Sequence, residues 1–302
     1  MNLSRRRFLI TTGSLTTFAV AATKSRGAKD SVVRRLACNS WPFRGYFDTP
    51  EMHRYRDSKY PLLTQAEFPE FLADQFGIHN VEFLPQHFVD TDPATIEKVR
   101  QRLTKANSRC CNLMGVEIRG GVFAEGADRQ AMAAEAVRWG KVAVALGSPT
   151  ITIALSGPGP TDANRAAQNL APAVDAVHQQ GIKVLFHNDN LRLESAETLT
   201  ALIQALGRER TGACPDFGNF APKSAAFALE QLRMLAPYAS NICHAKDGIA
   251  EGGKFYADDF AASMKVMRNA EFQGVYSLEY EGLDDPVSGV RQLMKMVEVH
   301  LN

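Results

Sequence analysis

Eight short apolar runs, each of a length typical of β-strands, recur along the chain at intervals of about 30 residues. Segments whose apolar residues have helical spacing separate these runs. Strands that alternate with helices predict a parallel sheet with right-handed crossovers, and eight strands close such a sheet into a (β/α)8 TIM barrel of the α/β class. The predicted strands are 36–41, 81–84, 110–118, 150–155, 184–186, 212–216, 241–244 and 275–279.

The segments between the runs carry signals for the starts and ends of helices. Asp92 and Asp285 each precede a proline, which favours a helix start, and Gly181 is expected to end the helix that begins near residue 161. A doubly wound sheet is the alternative fold, but no glycine-rich nucleotide fingerprint follows the first strand. The predicted helices are 68–76, 93–106, 132–146, 161–180, 195–206, 223–235, 257–270 and 286–301.

The N-terminal residues have the pattern of an export signal rather than of a folded domain. Three arginines at 5–7 precede Phe8 and a mildly apolar stretch at 10–22, which is typical of a twin-arginine signal. That stretch is shorter and more polar than the roughly 20 apolar residues of a membrane span. We therefore expect residues 1–28 to be a signal and short linker, and 29–302 to be the barrel. The expected location is periplasmic or otherwise exported, with no stable membrane anchor; an ordinary basic tail is the alternative.

The charge and cysteine content exclude several classes of protein. Lys and Arg number 34 against 33 Asp and Glu, and loss of residues 1–22, which contain three arginines and no acid, changes the net charge from +1 to −2. This balance is unlike the basic surface of nucleic-acid-binding proteins, so we expect no nucleic-acid partner. The five cysteines all fall in predicted strands, and we interpret them as buried apolar residues rather than a disulfide framework.

Four of the predicted strands end in side chains that are able to bind a metal. They are His187, Asp216, His244 and Glu279. Active sites of (β/α)8 barrels lie at the carboxyl ends of the strands, so we expect these four side chains to meet there. Two imidazoles and two carboxylates suit Mn, Fe, Co or Zn better than Ca, and leave Mg open. The alternative is that each histidine is a hydrogen-bonded structural residue.

Other residues near these strand ends are candidates for catalysis or substrate binding. Lys246 is a candidate hydrogen-bond donor to a substrate oxyanion, or else an internal ion pair with Asp247. Glu82 is a candidate catalytic group that could orient a ligand or bind a sugar hydroxyl, or else it is the partner of a basic neighbour. The loop 45–63 is rich in aromatic and cationic residues and is either a substrate lid or a solvated excursion. The candidate substrate-binding residues are Trp41, His87, Asn219 and Glu281.

The last three polar strand ends carry a resemblance to a known family. The segments 216–219 (Asp-Phe-Gly-Asn), 244–247 (His-Ala-Lys-Asp) and 279–282 (Glu-Tyr-Glu-Gly), in this order and spacing, resemble the xylose isomerase-like TIM-barrel superfamily, whose members are often called sugar phosphate isomerases/epimerases. The likeness extends from about Val33 to the C-terminus. In that family a glutamate, an aspartate, a histidine and a second glutamate hold a divalent metal. Asp216, His244 and Glu279 match the pattern, whereas His187 stands where the first glutamate is expected.

The resemblance implies proton transfer on a sugar. A divalent ion that holds a carbonyl oxygen and a neighbouring hydroxyl promotes removal of the adjacent carbon-bound proton through a metal-stabilised enediolate. In the family's epimerases two metal-bound glutamates exchange protons with opposite faces of one carbon. A metal-bound imidazole nitrogen cannot also serve as a base. With His187 in place of one glutamate, we therefore expect either a one-base reaction from Glu279 or a nearby group, or a base outside the quartet.

Several reactions share this intermediate. We expect a metal-dependent carbohydrate enzyme of the sugar isomerase/epimerase family. The alternatives are a 3-keto-glycoside lyase, which removes the proton on carbon 2 and expels the aglycone from carbon 1, and a noncatalytic sugar-binding barrel. Because an exported enzyme rarely meets sugar phosphates, the expected partner is a small sugar, keto-sugar or glycoside.

Overall fold

The computed structural model describes residues 32–118, 121–155, 162–188 and 196–301. The predicted export signal at 1–28 lies outside the described residues, as do the first residues predicted for the helices at 161 and 195.

Eight parallel strands form the sheet, and their order β6-β5-β4-β3-β2-β1-β10-β7 places the first strand beside the last barrel strand. A separate antiparallel hairpin follows β7. The strands are β1 (Leu36–Asn39), β2 (Asn80–Phe83), β3 (Arg109–Glu117), β4 (Thr150–Ala154), β5 (Lys183–His187), β6 (Thr211–Cys214), β7 (Ile242–Ala245), the hairpin strands β8 (Gly248–Glu251) and β9 (Lys254–Ala257), and β10 (Val275–Leu278).

The gap between β6 and β7 is bridged by a few backbone hydrogen bonds. His244 N donates to Pro215 O over 2.8 Å, and Ser240 N donates to Ala213 O over 3.2 Å. The sheet is therefore a nearly closed barrel, and the predicted (β/α)8 fold is confirmed. β6 ends at Cys214, two residues earlier than predicted, because Pro215 has no N–H group to donate.

Helices follow the barrel strands in alternation. Their apolar faces pack against the outside of the sheet, and Asp128, Ser224 and Asp259 cap three of them by accepting N–H groups of the first turn. Within the described ranges no helix is both long and apolar enough to cross a membrane. The helices are α1 (Phe68–Phe76), α2 (Pro93–Lys105), α3 (Arg129–Leu146), α4 (Ala163–His178), α5 (Ala196–Leu206), α6 (Ala225–Leu235), α7 (Phe260–Asn269) and α8 (Pro286–Leu301).

The five cysteines are buried in the strands as free thiols, as predicted. Burial raises the pKa of each thiol; for Cys214 the value rises to about 11. These thiols are therefore protonated and pack in the barrel wall; Cys214 also contacts the His244 ring, and its sulfur lies close to Glu82 and His244.

The hairpin β8–β9 was not predicted from the sequence, and the prediction that a helix begins at Ala257 is wrong because that residue ends β9. A two-residue turn, Gly252 and Gly253, joins the strands with φ of 58° and 78°. Two consecutive positive φ values are the requirement of a type I′ hairpin turn, which glycine meets without strain. Ala250 N donates to Glu281 O over 2.8 Å, so the hairpin is attached to the segment that follows β10.

The loop 45–63 is folded onto the barrel by aromatic packing. The rings of Tyr46 and Tyr60 stack at a centroid distance of 4.6 Å, and Phe47 and Met52 are buried. Short 3-10 helices, Trp41–Tyr46 and His53–Tyr55, interrupt the chain here. β1 is accordingly shorter than the predicted strand 36–41. The role of the loop as a substrate lid stays a prediction.

Candidate active site at the carboxyl end of the barrel

His187, Asp216, His244 and Glu279 converge at the carboxyl end of the sheet. His187 is the last residue of β5, His244 lies in β7, Asp216 follows β6 by two residues, and Glu279 directly follows β10. His244 Nδ1 lies 3.1 Å from His187 Nε2, 3.3 Å from Glu279 Oε2 and 3.5 Å from Asp216 Oδ2. His187 Nε2 lies 3.5 Å from Asp216 Oδ2. All four residues are buried.

These separations match the ligand shell of a divalent metal. Bonds of about 2.1 Å hold neighbouring ligand atoms roughly 3.0 to 3.4 Å apart in octahedral or tetrahedral geometry. The carboxylate of Asp216 is also oriented for a ligand. Its Oδ1 accepts the N–H groups of Gly218 and Asn219 over 2.8 and 2.9 Å, whereas Oδ2 is buried and accepts no hydrogen bond from any described residue. His187, Asp216 and His244 therefore form a group that could hold a divalent ion, and Glu279 lies beside it in contact with His244.

Lys246 lies beside this group and is only 1% exposed. Its Nζ is 2.7 Å from Glu279 Oε1, 2.8 Å from Glu281 Oε2 and 3.2 Å from Asp216 Oδ2. Burial would lower the pKa of Lys246, but the charges of these three carboxylates outweigh that effect and hold its pKa well above the ordinary value. Lys246 is therefore a fixed cation and hydrogen-bond donor rather than a base, and Asp247 is not its ion-pair partner among the described contacts.

The aliphatic part of Lys246 depends on a glycine for its position. A β-carbon on Gly218 would lie 2.9 Å from Lys246 Cδ and 3.0 Å from Cγ. Only glycine at this position leaves room for the lysine stem to pass over the backbone on its way to the carboxylates.

Glu82 lies on the other side of the His244 ring and is fully buried. His244 Nε2 is 3.1 Å from Glu82 Oε1, which also accepts a hydrogen bond from Asn112 Nδ2 over 2.7 Å. Ser277 Oγ donates to Glu82 Oε2 over 2.6 Å. Burial would raise the pKa of Glu82, but the charge of His244 and the hydrogen bonds from His244, Asn112 and Ser277 outweigh it, and the pKa lies below its usual value. The carboxylate is therefore ionised and hydrogen-bonded on both oxygens.

Three of the predicted substrate-binding residues lie around Lys246. Trp41 Nε1 donates a hydrogen bond to Glu281 Oε1. Asn219 Oδ1 accepts from Lys246 Nζ over 2.9 Å, and Asn219 Nδ2 donates to Asn188 O over 3.1 Å. The indole of Trp41 is half-buried; the Arg44 guanidinium lies over its ring at 4.9 Å from the centroid, and Tyr55 packs edge-on against it at 5.5 Å. Stacking of this ring on a sugar stays a prediction.

His87 occupies a different place. Its Nδ1 is 2.7 Å from Ser40 Oγ, its ring stacks on Phe47 at 4.2 Å, and no described contact joins it to the four converging side chains. Burial, with a smaller contribution from the charge of Arg44, lowers the pKa of His87 to about 3. The ring is therefore neutral, and its Nε2 is buried without a hydrogen-bond partner among the described residues. Its role in substrate binding stays a prediction.

One residue that was not predicted from the sequence contacts the group directly. Asn39, the last residue of β1, donates a hydrogen bond from Nδ2 to Glu279 Oε2, and its Oδ1 accepts the N–H of Trp41 over 3.0 Å. The available signal was a polar residue inside the first predicted strand, 36–41, two residues before its predicted end. Because β1 pairs with β10 in the closed barrel, position 39 necessarily lies beside position 279.

The net charge of the site is negative, which favours binding of a cation. Glu82, Asp216, Glu279 and Glu281 are four buried or nearly buried carboxylates, and Lys246 is the one lysine among them. Histidines that bind a metal through a ring nitrogen are neutral, so a divalent cation held here would bring this group close to electrical balance. A buried, negatively charged pocket with two imidazoles is an arrangement that metals of the Mn–Zn series and Mg occupy in proteins.

Comparisons with known proteins agree with the fold. The family model described as "Xylose isomerase-like TIM barrel" matches residues 71–299. No curated protein matches the chain at a significant level.

Solved structures with this fold include enzymes and metal complexes. A D-psicose 3-epimerase determined in the presence of D-fructose is 14% identical with a TM-score of 0.64, and the match covers 88% of this chain and 96% of that one. A xylose isomerase-like TIM barrel protein from Mycobacterium smegmatis in complex with magnesium is 14% identical, with a TM-score of 0.62 and coverage of 89% and 98%. The probable 3-DHS dehydratase AsbF from Bacillus anthracis is 12% identical, with a TM-score of 0.64 and coverage of 86% and 97%. At these identities the similarity concerns the fold. Together with the family match over most of the chain, it shows that this protein belongs to the xylose isomerase-like TIM barrel family.

Proposed function

We propose that this protein is a metal-dependent carbohydrate enzyme that removes a proton from the carbon next to a sugar carbonyl. The observation that carries the proposal is the convergence of His187 Nε2, Asp216 Oδ2 and His244 Nδ1 at separations of 3.1 to 3.5 Å, with Glu279 Oε2 3.3 Å from His244 Nδ1. Membership of a family with sugar epimerases among its structural neighbours supports the same class of reaction.

The proposed roles follow from the contacts. His187, Asp216, His244 and Glu279 would hold the metal, which when bound polarises a substrate carbonyl. Lys246 Nζ, fixed between Asp216 and Glu279, places a positive charge where negative charge develops on the substrate oxygen. Glu279 is the proposed base.

A one-base reaction is favoured over a two-base epimerisation. His187 stands where a second carboxylate would face the sugar, and its Nε2 points at His244 Nδ1 and Asp216 Oδ2, so that nitrogen is committed to the proposed metal. One base is sufficient for isomerisation, in which the same group returns the proton to the neighbouring carbon. It is also sufficient for elimination, in which the carbon-bound proton leaves to Glu279, a carbon–carbon double bond forms, and the β-substituent departs with the electron pair of its broken bond. A 3-keto-glycoside lyase is therefore the second candidate function.

The proposed substrate is a small unphosphorylated keto-sugar or glycoside, and this rests on the proposed export of the protein. The carboxylates of Asp216, Glu279 and Glu281 meet a single lysine, a charge distribution that is unfavourable for a phosphate group unless the metal neutralises it. We propose that the metal is loaded before export, because twin-arginine substrates are exported in the folded state.

Metal analysis combined with proton exchange tests the proposal. The purified protein is dialysed against Mn²⁺, Co²⁺, Zn²⁺ or Mg²⁺ and its bound metal is measured; keto-sugars and 3-keto-glycosides are then incubated with it in deuterated water. We expect about one ion per chain and metal-dependent loss of the carbon-bound proton signal, both absent in Asp216→Ala. Exchange that needs no metal would contradict the mechanism, and sugar binding without exchange would identify a noncatalytic sugar-binding barrel.

A further inference from the structure

The His244 ring has two differently occupied edges. Its Nδ1 faces His187 Nε2 at 3.1 Å and Glu279 Oε2 at 3.3 Å, on the side of the proposed metal. Its Nε2 faces Glu82, with 3.1 Å to each carboxylate oxygen. Carboxylates therefore face both ring nitrogens, with Asp216 Oδ2 a further 3.5 Å neighbour of Nδ1. A metal held by Nδ1 needs the lone pair of that nitrogen, which leaves the single proton of the neutral imidazole on Nε2, where Glu82 accepts it.

Glu82 is itself held in place from two sides. Asn112 Nδ2 donates to Oε1 over 2.7 Å, and Ser277 Oγ donates to Oε2 over 2.6 Å. Asn112 is in turn oriented by Thr150, whose Oγ1 donates to Asn112 Oδ1 over 2.8 Å. This chain of hydrogen bonds runs through the barrel interior from β4 to β3 and β2 and ends at the His244 ring in β7. A carboxylate bonded in this way has little freedom to rotate.

The same contacts separate Glu82 from the substrate. Its side chain is 0% exposed, and the His244 ring lies between it and the proposed metal. Its two oxygens accept hydrogen bonds from Asn112 and Ser277, which hold the carboxylate in the barrel interior behind the His244 ring. The sequence predicts Glu82 to be a catalytic group; its position in the structure favours an indirect role.

We propose that Glu82 is a positioning residue that fixes the tautomer and orientation of His244, so that Nδ1 presents its lone pair to the metal. The inference rests on the proposed function, because it takes His244 to be a metal ligand. Carboxylates behind metal-binding histidines also make the imidazole more basic, and their loss typically lowers metal affinity by about 10- to 100-fold.

Glu82→Gln keeps the shape of the side chain and removes its charge. We expect its affinity for Co²⁺ or Zn²⁺, measured by competition with a chelator, to fall about 10- to 100-fold relative to the unaltered protein. Glu117→Gln is the matched control, because it makes the same chemical change at the exposed end of the neighbouring strand β3. Its affinity should change less than about twofold, as is usual for surface substitutions.

Measurements on the two proteins distinguish a failure of the positioning role of Glu82 from a failure of the proposed metal-dependent function. If the unaltered protein binds no divalent metal, the proposed function fails and the inference fails with it. If the unaltered protein binds metal and Glu82→Gln binds it equally well, the positioning role alone is overturned.

A second measurement on the unaltered protein decides the matter even if Glu82→Gln does not fold. Nitrogen-15 spectra of the zinc-loaded, histidine-labelled protein report which ring nitrogen carries a proton, and the His244 signals are assigned as those lost in His244→Gln. We expect a proton on Nε2, with zinc on Nδ1. Zinc on Nε2, or no proton on Nε2, would overturn the proposal.

Discussion

Replacing Gly218 with alanine is expected to displace the side chain of Lys246. None of the proposed metal ligands is substituted in this variant. The added β-carbon would lie 2.9 Å from Lys246 Cδ, 3.0 Å from Lys246 Cγ and 3.4 Å from the carbonyl carbon of Gly248. Carbon atoms pack at about 3.5 to 4.0 Å, so the lysine stem must move by roughly 0.5 to 1 Å. The backbone of Gly248 limits movement of the new methyl group in the other direction.

A shift of that size lengthens the hydrogen bonds of the ammonium group. Lys246 Nζ is held at 2.7 to 2.9 Å by Glu279, Glu281 and Asn219. A hydrogen bond to a charged group contributes about 1.5 to 3 kcal/mol. Loss of one such contact, if it acts mainly in the transition state, corresponds to a decrease in turnover of about 10- to 100-fold, since 1.36 kcal/mol is tenfold.

The assay is the rate of carbon-bound proton exchange in deuterated water, with bound metal measured on the same samples. Gly126→Ala is the control, because a β-carbon there has no neighbour within 4 Å. We expect Gly218→Ala to retain its metal, and to slow exchange in the unaltered background but not in a Lys246→Ala background, where there is no lysine stem to displace. Unchanged exchange in Gly218→Ala, or an equal loss with Lys246 already absent, would refute the reasoning.

Further predictions concern metal, reaction, stability and location. Asp216→Ala should lose bound metal and exchange activity together; activity that persists without metal would show that the site is misassigned. His187→Glu restores the family's second carboxylate and should add sugar epimerisation, detected by nuclear magnetic resonance; no new stereoisomer would leave this histidine unexplained. Burial and, to a smaller extent, the charge of Asp216 raise the pKa of Asp258 to about 7, so the folded state holds a proton that the unfolded state has lost. The contribution of Asp258 to the free energy of unfolding therefore falls as the pH rises from about 4 to 7. Between pH 5 and pH 8 the free energy of unfolding of Asp258→Asn, measured with urea, should rise by about 1 to 2 kcal/mol relative to the unaltered protein. The same pH dependence in both proteins would contradict this. Replacing Arg5 and Arg6 with lysine should keep the protein in the cytoplasmic fraction, whereas continued export would exclude a twin-arginine signal.

The barrel and the convergence of the four side chains were predictable from the sequence. Apolar runs alternate with segments of helical spacing at a regular period. This pattern is visible in the sequence because every strand of a parallel barrel is buried and must therefore be apolar. Because all strands of the barrel are parallel, the residues that follow them lie together at the carboxyl end of the barrel. His187 and Asp216 could therefore be placed together, although 28 residues separate their strand ends along the chain.

The orientation of Glu82 could not be predicted in the same way. Whether this carboxylate faces the substrate or the back of the His244 ring depends on the pairing register of β2 with its neighbours and on the side-chain rotamers, neither of which leaves a periodic signal. The hairpin β8–β9 did leave a signal, the Gly252–Gly253 pair between two short alternating segments. That signal was obscured because the following residues also have helical spacing.

A crystal structure of the protein soaked with Mn²⁺, with data collected on both sides of the manganese absorption edge, tests the central claim most directly. We expect one strong anomalous peak at about 2.0 to 2.3 Å from His187 Nε2, Asp216 Oδ2, His244 Nδ1 and a carboxylate oxygen of Glu279. A peak elsewhere in the barrel, or none at these four atoms at a saturating manganese concentration, would contradict it.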